Sequence, residues 1–234
     1  MDFGHPVETV IPGAAGRLLE ALARVEAELP VSRLAQIAEV GRTRASGLVG
    51  ELAELGVVSR RQVGRTTLVR LNRENVAGGL IARLGDIRQM AIDRLRQLAR
   101  HMQPQPLTLL VYGSFARGTA GPSSDIDVLA IHADDVDSEG WSDLLTEFST
   151  GAEAFTGNSV QILDYGAEDF LRRYATREGD AGAEFWLSIT RDAVMLAGMD
   201  LEELVRAGHD AWEQSPPGEQ GGRRRLPDQG TQLA

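Results

Sequence analysis

In the stretch LLVYGSFARGTAGPSSDIDVLAIHADD, residues 109–135, a Gly113-Ser114 pair closes an apolar run, and two aspartates, Asp125 and Asp127, follow one residue apart. Residues two apart in an extended segment project to one face, so the carboxylates stand together and their repulsion calls for a cation. Where a strand gives way to a helix, Gly113 and Ser114 bring backbone N–H groups and a hydroxyl to one place, a seat for phosphate. Magnesium satisfies both groups, because it prefers a few carboxylates plus phosphate oxygens to a cage made wholly of protein. These residue types point to a metal-bound triphosphate, and a third carboxylate should follow on a later strand if that triphosphate is to react.

The pattern G-S-x-A-R-G, five residues, then S-D-I-D-V-L resembles the signature of nucleotidyltransferases of the DNA-polymerase-β type, above all the minimal nucleotidyltransferases. By element order the resemblance runs from Leu107 to Gly198, and its motif lies in Gly113 to Leu129. It implies a small mixed sheet with flanking helices, with Gly113 and Ser114 on the outer phosphates and Asp125 and Asp127 as the catalytic carboxylates that bind magnesium. Arg117 matches the family's helix arginine, either as an ion pair fixing the loop or as a phosphate contact. The family's third carboxylate falls on NSVQILDY, where the best-matched position is Gln161. A neutral amide there weakens the ion that activates the attacking hydroxyl far more than the nucleotide-bound ion. Nucleotide binding is thus expected, and whether transfer occurs stays open. Asp164, three residues further along the strand, faces the other way. Ser124 reads as a turn cap and His132 as a strand-end residue.

The elements that must position these residues read as an α/β (α+β) domain. Strands are expected at Leu107–Tyr112, Ile126–His132 and Ser159–Leu163, with a short apolar run AVMLAG near the end. Helices are expected at Ser114–Thr119, Trp141–Thr150, Ala167–Tyr174, Ala183–Ile189 and Leu201–Trp212. The last residues, 214–234, are rich in Pro, Gly, Gln and charge and read as a disordered tail containing Arg223, Arg224 and Arg225.

Ahead of this domain, Leu18, Leu22, Val25 and Leu29 recur at helical spacing until Pro30, and a short helix carries Leu34 and Ile37. A third helix is expected from a Thr43 N-cap, with a stripe of Ala45, Leu48, Leu52 and Leu55 and a stop at Gly56. Two β-rich runs then flank Gly64-Arg65 as a hairpin. This order resembles winged helix-turn-helix regulators of the arsenic-repressor and multiple-antibiotic-resistance kinds. The resemblance implies that Arg42, Arg44 and Ser46 approach bases and phosphates in the major groove, with Arg60, Arg61 and Arg65 on the wing. From Asn75 one long amphipathic helix is expected to run to Met102, either joining the domains or pairing with its copy in a homodimer. Arg96 and His101 on it have the R-x4-H spacing of a ribonuclease motif but read as a solvated face. The expected division is residues 1–75 winged helix, 76–103 linker helix, 104–213 nucleotidyltransferase-like domain and 214–234 tail.

Charge is unevenly spread under a net of -10: Val31 to Arg73 holds eight arginines against three acids, and Gln105 to Glu213 six against 21. A basic front can bind DNA within an acidic chain because phosphate contacts depend on the patch. With no cysteine, disulfides, thiolate metal sites and Cys nucleophiles are excluded. No apolar run approaches a bilayer span and MDFGHPVETV lacks signal-peptide character, so a cytoplasmic location is expected. The sequence expectation is a DNA-binding transcriptional regulator whose second domain binds a magnesium nucleoside triphosphate. Two alternatives remain: a working nucleotidyltransferase acting on a protein, RNA or small-molecule hydroxyl, and an antitoxin-like interaction module.

Overall fold

The computed structural model describes residues 1–176, 185, 186, 189 and 191–213. The chain divides into two compact units, residues 1–91 with 121–123, and residues 92–120 with 124–234.

The first unit orders its elements as α1 (Pro6–Val10), α2 (Ala14–Ala23), β1 (Leu29–Pro30), α3 (Val31–Ile37), α4 (Arg42–Glu54), β2 (Val58–Val63), β3 (Thr66–Leu71) and α5 (Val76–Gly85). Its apolar stripes meet in one core, with Leu18, Leu22, Leu34 and Ala45 fully buried against Val69. The sheet has the order β1-β3-β2 and is antiparallel throughout. The helix expected to reach Leu29 ends at Ala23, because Leu29 and Pro30 pair with Val69 and Leu68 as a short strand. Proline, having no N–H to give, is tolerated at that sheet edge. The third helix begins at a Gly41 cap, not at Thr43, and Leu55 leaves its stripe at 70% exposure. The sequence gives no sign of α1: Glu20, buried in the core, accepts the Val7 N–H at 2.6 Å and the Glu8 N–H at 3.3 Å, while Arg24 binds its other oxygen.

The single long helix expected from Asn75 is two helices, α5 and α6 (Ile87–His101), separated at Asp86. Asn75 caps α5 by accepting from Ala77 and Gly78 N–H. Gly85 packs so closely on Ala23 that a Cβ would come within 2.9 Å of the alanine methyl. Asp86 then takes φ -92, ψ 8, and its N–H returns to Ala82 and Arg83 carbonyls, which closes the helix. An amphipathic pattern runs through both helices and hides the break.

The second unit holds β4 (Thr108–Tyr112), α7 (Gly113–Arg117), β5 (Ile126–His132), α8 (Ser138–Thr156), β6 (Val160–Gly166), α9 (Ala167–Thr176), β7 (Val194–Gly198) and α10 (Leu201–Glu213). The mixed sheet has the order β6-β5-β4-β7, with β5 parallel to β6 and β4 antiparallel to β5 and β7. Parallel neighbours need a crossover, and α8 supplies it. It is 19 residues long and starts before and ends after the expected Trp141–Thr150, capped by Asp137 and stopped by left-handed Gly157. The expected end at Thr150 is interior: the next residue, Gly151, makes room for Leu98, which would stand 3.1 Å from a Cβ there. One sheet face packs Leu110, Leu129 and Ile131 against Phe170 of α9 and Leu201 and Leu204 of α10. Apart from Phe185, Trp186 and Ile189, the helix expected at Ala183–Ile189 lies outside the described residues, as does the tail with Arg223, Arg224 and Arg225.

Candidate functional site

Register places Tyr112, Asp127 and Gln161 in one row across three strands: Tyr112 of β4 pairs with Asp127 of β5, and Asp127 with Gln161 of β6. Leu129, Leu163 and Tyr165 follow on the same face by alternation, so the polar row marks where that apolar face ends. Asp125 precedes β5 and belongs to the row, because Gln161 Nε2 donates to its Oδ2 at 2.9 Å.

Gly113 turns the chain from β4 into α7 with φ +70, the left-handed region that favours glycine. It is required a second time by its neighbour, since a Cβ built there would overlap the Asp127 carboxylate. Ser114 follows in the first turn of α7, and left-handed Gly118 closes that short helix. Arg117, at its end, donates to Asp192 Oδ2 at 3.4 Å. Asp192 is also gripped by Arg191, whose hydrogen bonds chiefly hold its carboxyl below the ordinary range. Asp192 carries no local sequence signal for this role, since it lies 75 residues from Arg117.

Burial first, and the Asp125 charge second, hold the Asp127 carboxyl above its ordinary value, against the pull of Arg117. Burial also pushes the Tyr112 phenol up to about 12, with help from Asp127 and Tyr165. Tyr112 therefore stays protonated at neutral pH and offers a donor, not a base. The half-buried Asp127 costs free energy while it is ionised alone, and a cation offsets that cost.

Asp164 does not join this row. It pairs with Ala130, one residue out of phase with the site face, and accepts from Trp141 Nε1 at 2.9 Å. His132 lies 4.0 Å from Asp164 and its Nδ1 is 2.8 Å from the Ala133 carbonyl oxygen, so it is a satisfied strand-end residue. Ser124 accepts through its backbone carbonyl from Asn158 Nδ2 at 2.9 Å. Arg96 binds the Met195 carbonyl and Asp93, while His101 Nδ1 lies 2.7 Å from the Gln97 carbonyl; the ribonuclease-like spacing is a helix face with structural contacts. Among the described residues no group of three or more His, Cys, Asp or Glu side chains could hold a metal.

In the first unit Arg42, Arg44 and Ser46 are exposed in the first turns of α4. Arg60 and Arg65 are exposed on β2 and on the turn that follows it. No acid pairs with Arg42, Arg44, Arg60 or Arg65 among the described residues. Arg61 differs: its Nε lies 2.9 Å from both Glu28 oxygens and its Nη2 2.6 Å from Oε2, a fork that matches its charge.

Residues 92–181 match the family model described as Nucleotidyltransferase domain. The match begins at Ile92, where the second unit begins, and contains Gly113, Ser114, Arg117, Asp125, Asp127 and Gln161. Among solved structures, a toxin–antitoxin with AMP-PNP is 19% identical, with 56% of this chain and 91% of that chain covered at a TM-score of 0.33. TrmBL2, an archaeal chromatin protein whose structure shows a novel mode of DNA binding, is 15% identical over 77% of this chain and 74% of its own, with a TM-score of 0.27. Neither score reaches 0.5, and neither structure defines the fold of this chain. No curated protein matches it closely enough to count as a relative.

Proposed function

We propose that the chain is a DNA-binding transcriptional regulator whose second unit binds a magnesium nucleoside triphosphate. The observation that carries the nucleotide half is the close fit of Gly113 against Asp127, beside Asp125, inside the nucleotidyltransferase-domain match. Asp125 and Asp127 would hold one magnesium ion together with phosphate oxygens, a donor set that suits this hard cation. Bound there, magnesium would neutralise the triphosphate and withdraw charge from its phosphorus atoms. Gly113 and Ser114 would seat the outer phosphates, and Tyr112 would stand by as a donor. Arg117 serves first as the partner of Asp192 and reaches Asp127 through its charge.

The regulator half is supported by element order and by surface chemistry. The order of helices α2, α3 and α4 followed by the β2–β3 hairpin supports a winged helix-turn-helix reading. The exposed start of α4 would enter the major groove with Arg42, Arg44 and Ser46, and the hairpin would track the backbone with Arg60 and Arg65. Residues 1–75 would thus read DNA and residues 104–213 hold nucleotide, in the cytoplasm. No helix among the described residues is long and apolar enough to cross a membrane. Incubation with each labelled nucleoside triphosphate and magnesium, scored for both retention and transfer of label, tests the nucleotide half. Retention without transfer is expected, and absence of retention with all four triphosphates overturns it. A working transferase is the second reading, favoured by the presence of both aspartates, and label on an acceptor would establish it.

A further inference from the structure

We infer that Gln161 makes the nucleotide site a one-cation site, which holds a triphosphate without transferring it; the inference rests on the nucleotide-binding reading above. Gln161 stands directly across from Asp127 on the parallel neighbour strand and donates to Asp125 at 2.9 Å. A carboxylate in its place would bring a third negative charge and two more strong oxygen ligands. The amide brings no charge, and its N–H occupies an oxygen of Asp125 that a second ion would need. The hydrogen bond also fixes which way the amide points, since its carbonyl turned toward the Asp125 carboxylate would meet like partial charge. The next acid on β6 cannot compensate, because Asp164 is spent on Trp141 behind the sheet.

Two-metal displacement uses one ion at the leaving oxygens and the other at the attacking oxygen. Transfer would form a bond from an acceptor hydroxyl oxygen to the α-phosphorus and break the α-phosphorus bond to the pyrophosphate oxygen. The hydroxyl proton would pass to a base. With two carboxylates and a blocking amide, the nucleotide-bound ion keeps its ligands and the ion that would lower the hydroxyl's pKa does not. The triphosphate is retained whole, which suits a signal that is sensed and released more than a substrate that is consumed.

The experiment counts ions. The full chain is dialysed against Mn2+ with a saturating nucleoside triphosphate, each of the four in turn. Bound Mn2+ is counted by electron paramagnetic resonance, and the nucleotide is recovered after acid quench and chelation of the metal and identified by chromatography. One Mn2+ per bound nucleotide and recovery of intact triphosphate are expected for the natural chain. Two are expected for Gln161→Asp and for Gln161→Glu, the second variant preserving side-chain length. Two Mn2+ per nucleotide in the natural chain, or one in both variants with nucleotide bound, overturns the inference and leaves nucleotide binding standing. No bound nucleotide with any of the four overturns the underlying reading as well.

Discussion

Gly113 and Asp127 are so close that the Cβ which glycine lacks would overlap the aspartate's Oδ2. Gly113→Ala therefore meets two penalties, a left-handed backbone that costs an L-residue about 1–2 kcal/mol and the displacement of Asp127. The expected outcome is an unfolding free energy lower by about that amount or more, together with loss of magnesium-dependent nucleotide binding. Chemical denaturation and calorimetric titration of the same preparation check both.

Asp127→Asn should separate stability from binding. A carboxyl whose folded pKa lies above its unfolded one costs stability when ionised. That cost is absent below the unfolded value and grows in as pH rises toward and through the folded value. The variant should thus be more stable than the parent at pH 7, with the difference vanishing in acid, and it should bind no magnesium nucleotide. Thermal melts across pH, paired with calorimetry, would expose the site as misassigned if affinity were unchanged.

For the parent, nucleotide affinity should weaken as pH falls through the raised Asp127 value, since the proton and the cation compete for the same oxygens. A titration of the parent's nucleotide affinity against pH reads this directly.

DNA binding should discriminate among arginines that look alike in sequence. Arg65→Ala should lower the log-log salt slope by about one unit across all sequences, and Arg44→Ala should also relax sequence preference. Arg61→Ala should change the slope less than Arg65→Ala, because Glu28 already matches its charge. Gel-shift titrations over a salt series test all three, and parent-like behaviour of Arg44→Ala and Arg65→Ala would point to a protein-binding role for this unit.

Nucleotide and DNA should change each other's affinity by a common factor if the two units regulate together, and useful couplings are about 1–3 kcal/mol. A single rigid helix from Asn75 cannot be the transmitter, because the helix closes at Gly85 and restarts at Ile87. Operator affinity measured with and without saturating magnesium nucleotide, repeated in Asp127→Asn, gives the coupling; equal affinities would mean two independent units.

What the sequence made legible was governed by alternation. Strand β5 has the bounds expected for it, Ile126–His132, and Gln161 pairs with Asp127 because a buried period-two pattern fixes facing and register. Glycine misled in both directions. At Gly151, just past the expected helix end, it is interior and serves a close approach by Leu98, while at Gly85 it passed as helix interior and marks a break. Partners distant in sequence were invisible: Glu28 on Arg61, Asp192 on Arg117, and buried Glu20 holding the first helix. None has a local pattern, since each depends on where folding brings a charge.

The position of Gln161 beside Asp127 also bears on how readily the chain could change its role. Glutamine and glutamate codons differ only in their first base, so one substitution supplies the missing carboxylate at the same strand position and side-chain length. Aspartate lies further away, at two or more bases. A one-cation nucleotide site of the kind proposed would be mutationally adjacent to an enzyme, and random mutagenesis followed by selection for label transfer should recover glutamate at position 161 before any other solution.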